Sequence, residues 1–96
     1  MESILLVEDD DTITLGIKAF LEKKEYKVER AKTLEEAKLL LLNQGEFSQS
    51  INKESKIVLV LLDLNLPDGM GYELCRFIRK RSKLPIIFLT VCQMVI

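Results

Sequence analysis

The 96-residue sequence contains no histidine and only two cysteines, Cys75 and Cys92. The cysteines have no metal-ligand spacing, so an imidazole or thiolate metal site is excluded. Each cysteine is read as a small packed hydrophobe in a reduced, cytoplasmic setting. An excess of charge of either sign is also missing, with 14 Lys and Arg against 15 Asp and Glu. The net charge is -1, so no global basic field points to direct nucleic-acid binding. Local basic clusters such as Arg76, Arg79, Lys80 and Arg81 are read as a solvated helix face. Long apolar runs are absent. The longest, Ile57 to Leu62, falls far short of the roughly 20 residues that cross a bilayer. The opening Met1-Glu2-Ser3 lacks the basic-then-apolar pattern of a secretory signal. There is no internal repeat and no low-complexity tract. The length suits a single small domain over 1–96 and no second one.

Strand and helix patterns alternate along the chain. Ile4-Leu5-Leu6-Val7 is a short continuous apolar run, the mark of a strand buried on both faces. Ile13, Ile17, Phe20 and Leu21 recur at helical spacing and predict a helix over 12–24. Asp10 or Asp11 suits its N-cap. Residues 26–29 alternate like a half-buried edge strand. Thr33-Leu34-Glu35-Glu36 has the form of a capping box and opens a helix running to about residue 43. Residues 45–55 are polar and read as a loop. Ile57 to Leu62 is the strongest strand signal and belongs at the centre of a sheet. A turn-rich segment over 66–71 precedes a helix over 72–81 that buries Leu74, Phe77 and Ile78. Pro85 introduces a fourth strand, 86–89, ending at Thr90. This order predicts an α/β fold: a parallel sheet with right-handed crossovers and helices on both faces.

In an open parallel sheet, sites form outside the carboxyl ends of the strands. The first strand delivers Glu8 and Asp9 there, the third delivers Asp63 and the fourth Thr90. Three carboxylates in one cleft repel one another and call for protons or a cation. Oxygen ligands without His or Cys favour Mg²⁺ over zinc. A bound cation would also shield an incoming phosphate, so that an Asp could attack phosphorus. The plainer reading of Glu8 to Asp11 is a solvated loop with a helix N-cap, and a lone Asp at a strand end carries little weight. The combination at matching strand ends carries much more.

Ile4-Leu5-Leu6-Val7-Glu8-Asp9-Asp10, the segment Leu61 to Gly71, and Pro85 to Thr90 resemble the response-regulator receiver family of two-component systems. The similarity is greatest to members that carry a winged-helix DNA-binding effector. The resemblance covers nearly the whole chain. It implies a flavodoxin-like doubly wound parallel sheet with four of the usual five strands, in the order 2-1-3-4. It implies that Asp63 accepts a phosphoryl group from a sensor histidine kinase or a small acyl phosphate. Asp9, Asp63 and the backbone carbonyl of Asn65 would bind Mg²⁺ directly and Glu8 through water, with Thr90 as the switch hydroxyl.

The sequence departs from the family pattern in three places. The loop over 45–55 is long, but lies away from the site. Val91 stands where the family has a small residue. The chain stops at Ile96, so the last helix, strand and helix are missing, with the Lys that contacts the phosphate. Lys56 and Lys83 begin their strands, roughly 20 Å from the site, and Lys32 lies at the far edge. The expectation is a C-terminally truncated receiver whose switching is impaired. An alternative is a non-switching module that acts as a dimer or as a kinase decoy. A remote alternative is a Mg²⁺-dependent phosphohydrolase with an Asp nucleophile, but Asn65 stands where that class needs its second Asp. Loss of the fifth strand would expose strand 86–90, and a homodimer through that strand and the tail 91–96 is expected. No membrane partner is expected.

Overall fold

Three short aliphatic runs, within residues 2–7, 56–63 and 86–89, form most of the sheet because each can be sandwiched between layers, while the alternating segment 27–31 joins at the edge. The computed structural model describes residues 2–43 and 56–89. In chain order these form β1 (Glu2–Val7), α1 (Asp11–Lys23), β2 (Lys27–Ala31), α2 (Leu34–Asn43), β3 (Lys56–Asp63), β4 (Asn65–Leu66), β5 (Gly69–Met70), α3 (Gly71–Arg79) and β6 (Ile86–Leu89). The main sheet is parallel, in the order β2-β1-β3-β6, and β4 and β5 form a separate antiparallel pair. The expected four-strand order is therefore present, with β6 as the fourth strand.

The crossover from β1 to β2 runs one way and those from β2 to β3 and β3 to β6 run the other. Right-handed connections then place α1 on one face, and α2 and α3 on the opposite face. On the α2/α3 face, Leu5, Val7, Val60 and Leu62 meet Leu34, Ala37, Leu41, Leu74 and Ile78 in one buried core. Each fully buried Leu or Ile there contributes roughly 2 kcal/mol of hydrophobic stabilisation.

The other face is covered less completely. Ile4 and Leu6 are buried, their neighbours Leu59 and Leu61 are half-buried, and Ile87 beyond them is 52% exposed. Exposure rises across the sheet because α1 is the sole described helix on this face and packs toward β2. The stripe expected to bury α1 is accordingly half met. Ile13, Ile17 and Leu21 are partly covered, whereas Phe20 is 60% exposed with the Lys24 ammonium over its ring.

Several boundaries differ from the sequence reading. β2 runs over Lys27–Ala31 and leaves Tyr26 outside, because its register follows β1, from Ser3 beside Lys27 to Val7 beside Ala31. The capping box of α2 is shifted. Thr33 Oγ1 accepts from the Glu36 N–H, but the Glu36 carboxylate accepts from the N–H of Lys32 instead of Thr33. The segment over 66–71 is not simply turn: it holds the β4–β5 hairpin. Leu74 and Ile78 are buried as expected, and Phe77 is half-buried with the Arg81 guanidinium 3.9 Å from its ring centre. Arg76, Arg79, Lys80 and Arg81 are exposed. Cys75 is a free, half-buried thiol. The loop 45–55, Val91, Cys92 and the tail lie outside the described residues.

One contact ties the hairpin to α2. The N–H groups of Leu34 and Glu35 donate to Asp68 Oδ1 at 2.8 Å and Oδ2 at 3.1 Å. These bonds, the Leu34 one foremost, hold the Asp68 carboxyl below its ordinary value. A group lowered on folding stabilises the fold above its unfolded value and loses that effect as the pH falls through its folded value. Asp68→Ala is therefore expected to lower stability by about 1 kcal/mol at neutral pH, the usual cost of a lost helix cap. The difference from the wild type should shrink in acid. Urea unfolding of both proteins at neutral and acid pH measures this.

Candidate functional site

The backbone of Glu8, where the chain leaves β1, is held at both its N–H and its carbonyl. Glu8 N–H donates to the Ala31 carbonyl at 3.0 Å, and Glu8 O accepts from Arg30 Nε at 2.9 Å. Asp10 is the N-cap of α1 and accepts from the Ile13 N–H at 2.9 Å. Of the two acids suited to that role, Asp10 holds it. Asp11 follows in the first turn, where it pairs with Arg30 Nη2 at 2.9 Å and Lys32 Nζ at 3.3 Å. Those two cations hold its carboxyl below its ordinary value, with the Arg30 hydrogen bond foremost.

β1 and β3 are adjacent, with Val7 beside Leu62, so the next residues along both strands emerge side by side. One carboxylate oxygen from each of Glu8, Asp9 and Asp63 lies within 4.8 Å of the others. Glu8 is 2% exposed, Asp63 is half-buried and Asp9 is exposed. Glu8 Oε2 accepts from the Asp10 N–H at 3.0 Å, while Oε1 is buried with no hydrogen-bond partner. Burial pushes the Glu8 carboxyl above its ordinary value. The Asp10 N–H opposes that shift, and the charges of Asp63, Asp9 and Asp10 add to it.

A buried carboxylate oxygen without a donor calls for a proton or a cation. Magnesium binds oxygen at about 2.1 Å, which puts opposite ligands about 4 Å apart. Three oxygens within 4.8 Å of one another can sit around such an ion while it keeps part of its water shell. The donor set is all oxygen, as that ion requires.

The connection after Asp63 is tightly held. The Gly71 N–H donates to the Leu64 carbonyl at 2.7 Å, and a Cβ at Gly71 would collide with the Asp63 carbonyl oxygen. Glycine is required there by the close approach of the α3 N-terminus to β3. Asn65 opens β4, two residues beyond Asp63, and is exposed. Leu89 in β6 is in register with Asp63, whereas Thr90 lies outside the described residues. Lys32 engages Asp11. The sequence reading passed over Arg30 and Asp68. Nothing local marks Arg30, since the Glu8 carbonyl and the Asp11 carboxylate lie 22 and 19 residues away, and Asp68 reaches 34 residues.

Comparison with known proteins gives this geometry a family. The response regulator receiver domain profile matches residues 4–95. The chain is 37% identical over 90 residues to the transcriptional regulatory protein AfsQ1 of Streptomyces coelicolor, covering 94% of this chain and 35% of that protein. It is 34% identical over 87 residues to ResD of Bacillus subtilis, covering 91% and 32%. The chain thus spans about a third of the length of these relatives. Among solved structures, the non-phosphorylated HemR receiver domain of Leptospira biflexa superposes with a TM-score of 0.72 at 38% identity, covering 92% of this chain and 63% of that one. The BeF3-activated RstA receiver domain of Klebsiella pneumoniae gives 0.74 at 29%, covering 90% and 64%. The profile match takes in both strand ends that bring the carboxylates together, and the chain belongs to the response-regulator receiver domain family of two-component signalling.

Proposed function

We propose that this receiver domain takes a phosphoryl group on Asp63, donated by a sensor histidine kinase or a small acyl phosphate. The observation that carries this reading is the gathering of one carboxylate oxygen each from Glu8, Asp9 and Asp63 within 4.8 Å. Receiver domains generally bind Mg²⁺ at such an acidic pocket and receive phosphate from histidine kinases. Here Asp9, Asp63 and the Asn65 backbone carbonyl would hold the ion directly and Glu8 through water. When bound, it supplies positive charge to the phosphoryl oxygens. An Asp63 carboxylate oxygen attacks phosphorus as the bond from phosphorus to the donor's nitrogen or oxygen breaks. The bonding pair leaves with the donor, and the product is an aspartyl phosphate. Thr90 is assigned the hydroxyl that bonds a phosphoryl oxygen. The setting is cytoplasmic, where a sensor kinase presents its phosphohistidine; no described helix is long and apolar enough to cross a membrane. Intact-mass measurement after incubation with acetyl phosphate and Mg²⁺ tests the assignment, with Asp63→Asn as the control.

A second reading concerns assembly: a homodimer through strand 86–90 and residues 91–96, serving as an interaction module. Its support is β6, which pairs with β3 alone among the described strands and leaves Ile87 exposed. An edge strand with apolar exposure invites a second copy. Light scattering after size exclusion at tens of micromolar should report a dimer that reverts to monomer when residues 92–96 are deleted. A stable monomer of the intact chain would defeat this reading.

A further inference from the structure

We propose that Arg30 is a positioning residue of the acidic site, holding the turn from β1 into α1 in the shape that gathers the carboxylates. The proposal rests on the metal reading above and deepens it. The Arg30 side chain is 20% exposed and makes two directed bonds from one plane. Its Nε donates to the Glu8 carbonyl at 2.9 Å, and its Nη2 donates to Asp11 Oδ1 at 2.9 Å. The two partners flank Asp9 and Asp10, so the guanidinium spans the turn on which Asp9 is carried. On the other side of Glu8, its N–H is pinned to the Ala31 carbonyl at 3.0 Å. Both restraints come from adjacent residues of β2. A planar, forked donor suits two acceptors set apart in this way, and a lysine ammonium does not reproduce the fork. Losing a group that orients a ligand without touching the metal typically costs about 10- to 100-fold in metal affinity.

A competing account treats Arg30 as a nearby positive charge. The two accounts predict opposite signs. If Arg30 acts through charge alone, Arg30→Gln removes repulsion and tightens Mg²⁺ binding, while Arg30→Lys changes little. If Arg30 positions the turn, both variants weaken Mg²⁺, by on the order of tenfold in Kd, and lysine does not rescue.

The experiment is titration calorimetry with Mg²⁺ on the wild type, Arg30→Gln and Arg30→Lys. It is paired with amide hydrogen exchange at Glu8 and Asp10 in metal-free protein, and with thermal melts. The expected result is a matching loss in both variants, with faster exchange at the two amides. Tighter binding in Arg30→Gln, or wild-type affinity and exchange in Arg30→Lys, would overturn the proposal. If Arg30→Gln does not fold, Arg30→Lys decides alone, since it keeps the charge and the alkyl stem. If the wild type binds no Mg²⁺, the metal reading fails, and the metal-free exchange data alone decide whether Arg30 holds the turn.

Discussion

Incubated with acetyl phosphate and Mg²⁺, the chain is expected to gain one phosphoryl group, and Asp63→Asn is expected to gain none. Asp63 ends the central strand β3, half-buried, with its carboxylate beside those of Glu8 and Asp9. An amide in its place cannot act as the nucleophile and cannot form an acyl phosphate. Attack by a carboxylate on an anionic phosphate inside an acidic cleft is opposed by charge, so labelling should also depend on the cation. Removing it with a chelator forfeits several kcal/mol of charge stabilisation, more than about a hundredfold in rate. The adduct should be cleaved by hydroxylamine, as an acyl phosphate is and a phosphoserine is not. Equal labelling of Asp63→Asn, or an adduct that survives hydroxylamine, would remove Asp63 from its assigned role.

The second large effect concerns Glu8, in which metal and fold pull in opposite directions. Its carboxyl is raised above the ordinary value of 4.5, chiefly by burial and further by the neighbouring carboxylates. A carboxyl raised on folding binds its proton more tightly in the native state. Its stabilising effect is complete below the unfolded value and is lost as the pH rises through the folded value. Without metal, then, Glu8 favours the fold in mild acid and penalises it at neutral pH, where a charged oxygen sits buried without a donor. Glu8→Gln is expected to raise metal-free stability at neutral pH by about 1 kcal/mol, through removal of a buried, repelled charge. The same change should weaken Mg²⁺. In the wild type, Mg²⁺ at a hundredfold above its Kd should add about 2.7 kcal/mol of stability. That gain should grow with pH, since the ion needs the ionised carboxylate, and Asp9→Asn should abolish most of it. Denaturant unfolding across a pH series, with and without Mg²⁺, measures all three effects. A Mg²⁺ effect unchanged in Asp9→Asn would sink the metal assignment.

Both predictions draw on residues legible without a structure, and the reason is local. A parallel strand announces itself by an apolar run, and the residue that ends the run must emerge at one edge of the sheet. Ile4 to Val7 and Ile57 to Leu62 therefore located Glu8, Asp9 and Asp63 from the sequence alone. The all-oxygen donor set followed from residue types and from the absence of histidine. The order of elements was equally local, because hydrophobic period distinguishes helix from strand within a few residues.

Other features were decided only when distant segments met. The register of β2 against β1 dropped Tyr26 from that strand and extended it to Ala31. The helix N-terminus at Leu34 took its cap from Asp68 as well as from the adjacent Thr33. Phe20 carried the helical spacing of a core residue yet stands exposed, because burial depends on what lies across from a face as well as on its pattern. Arg30 illustrates the limit most sharply. One of its two partners is the Glu8 backbone carbonyl, a group every residue possesses, so no residue type marks that bond. Only the parallel pairing of β1 with β2 brings that carbonyl within 2.9 Å of the guanidinium.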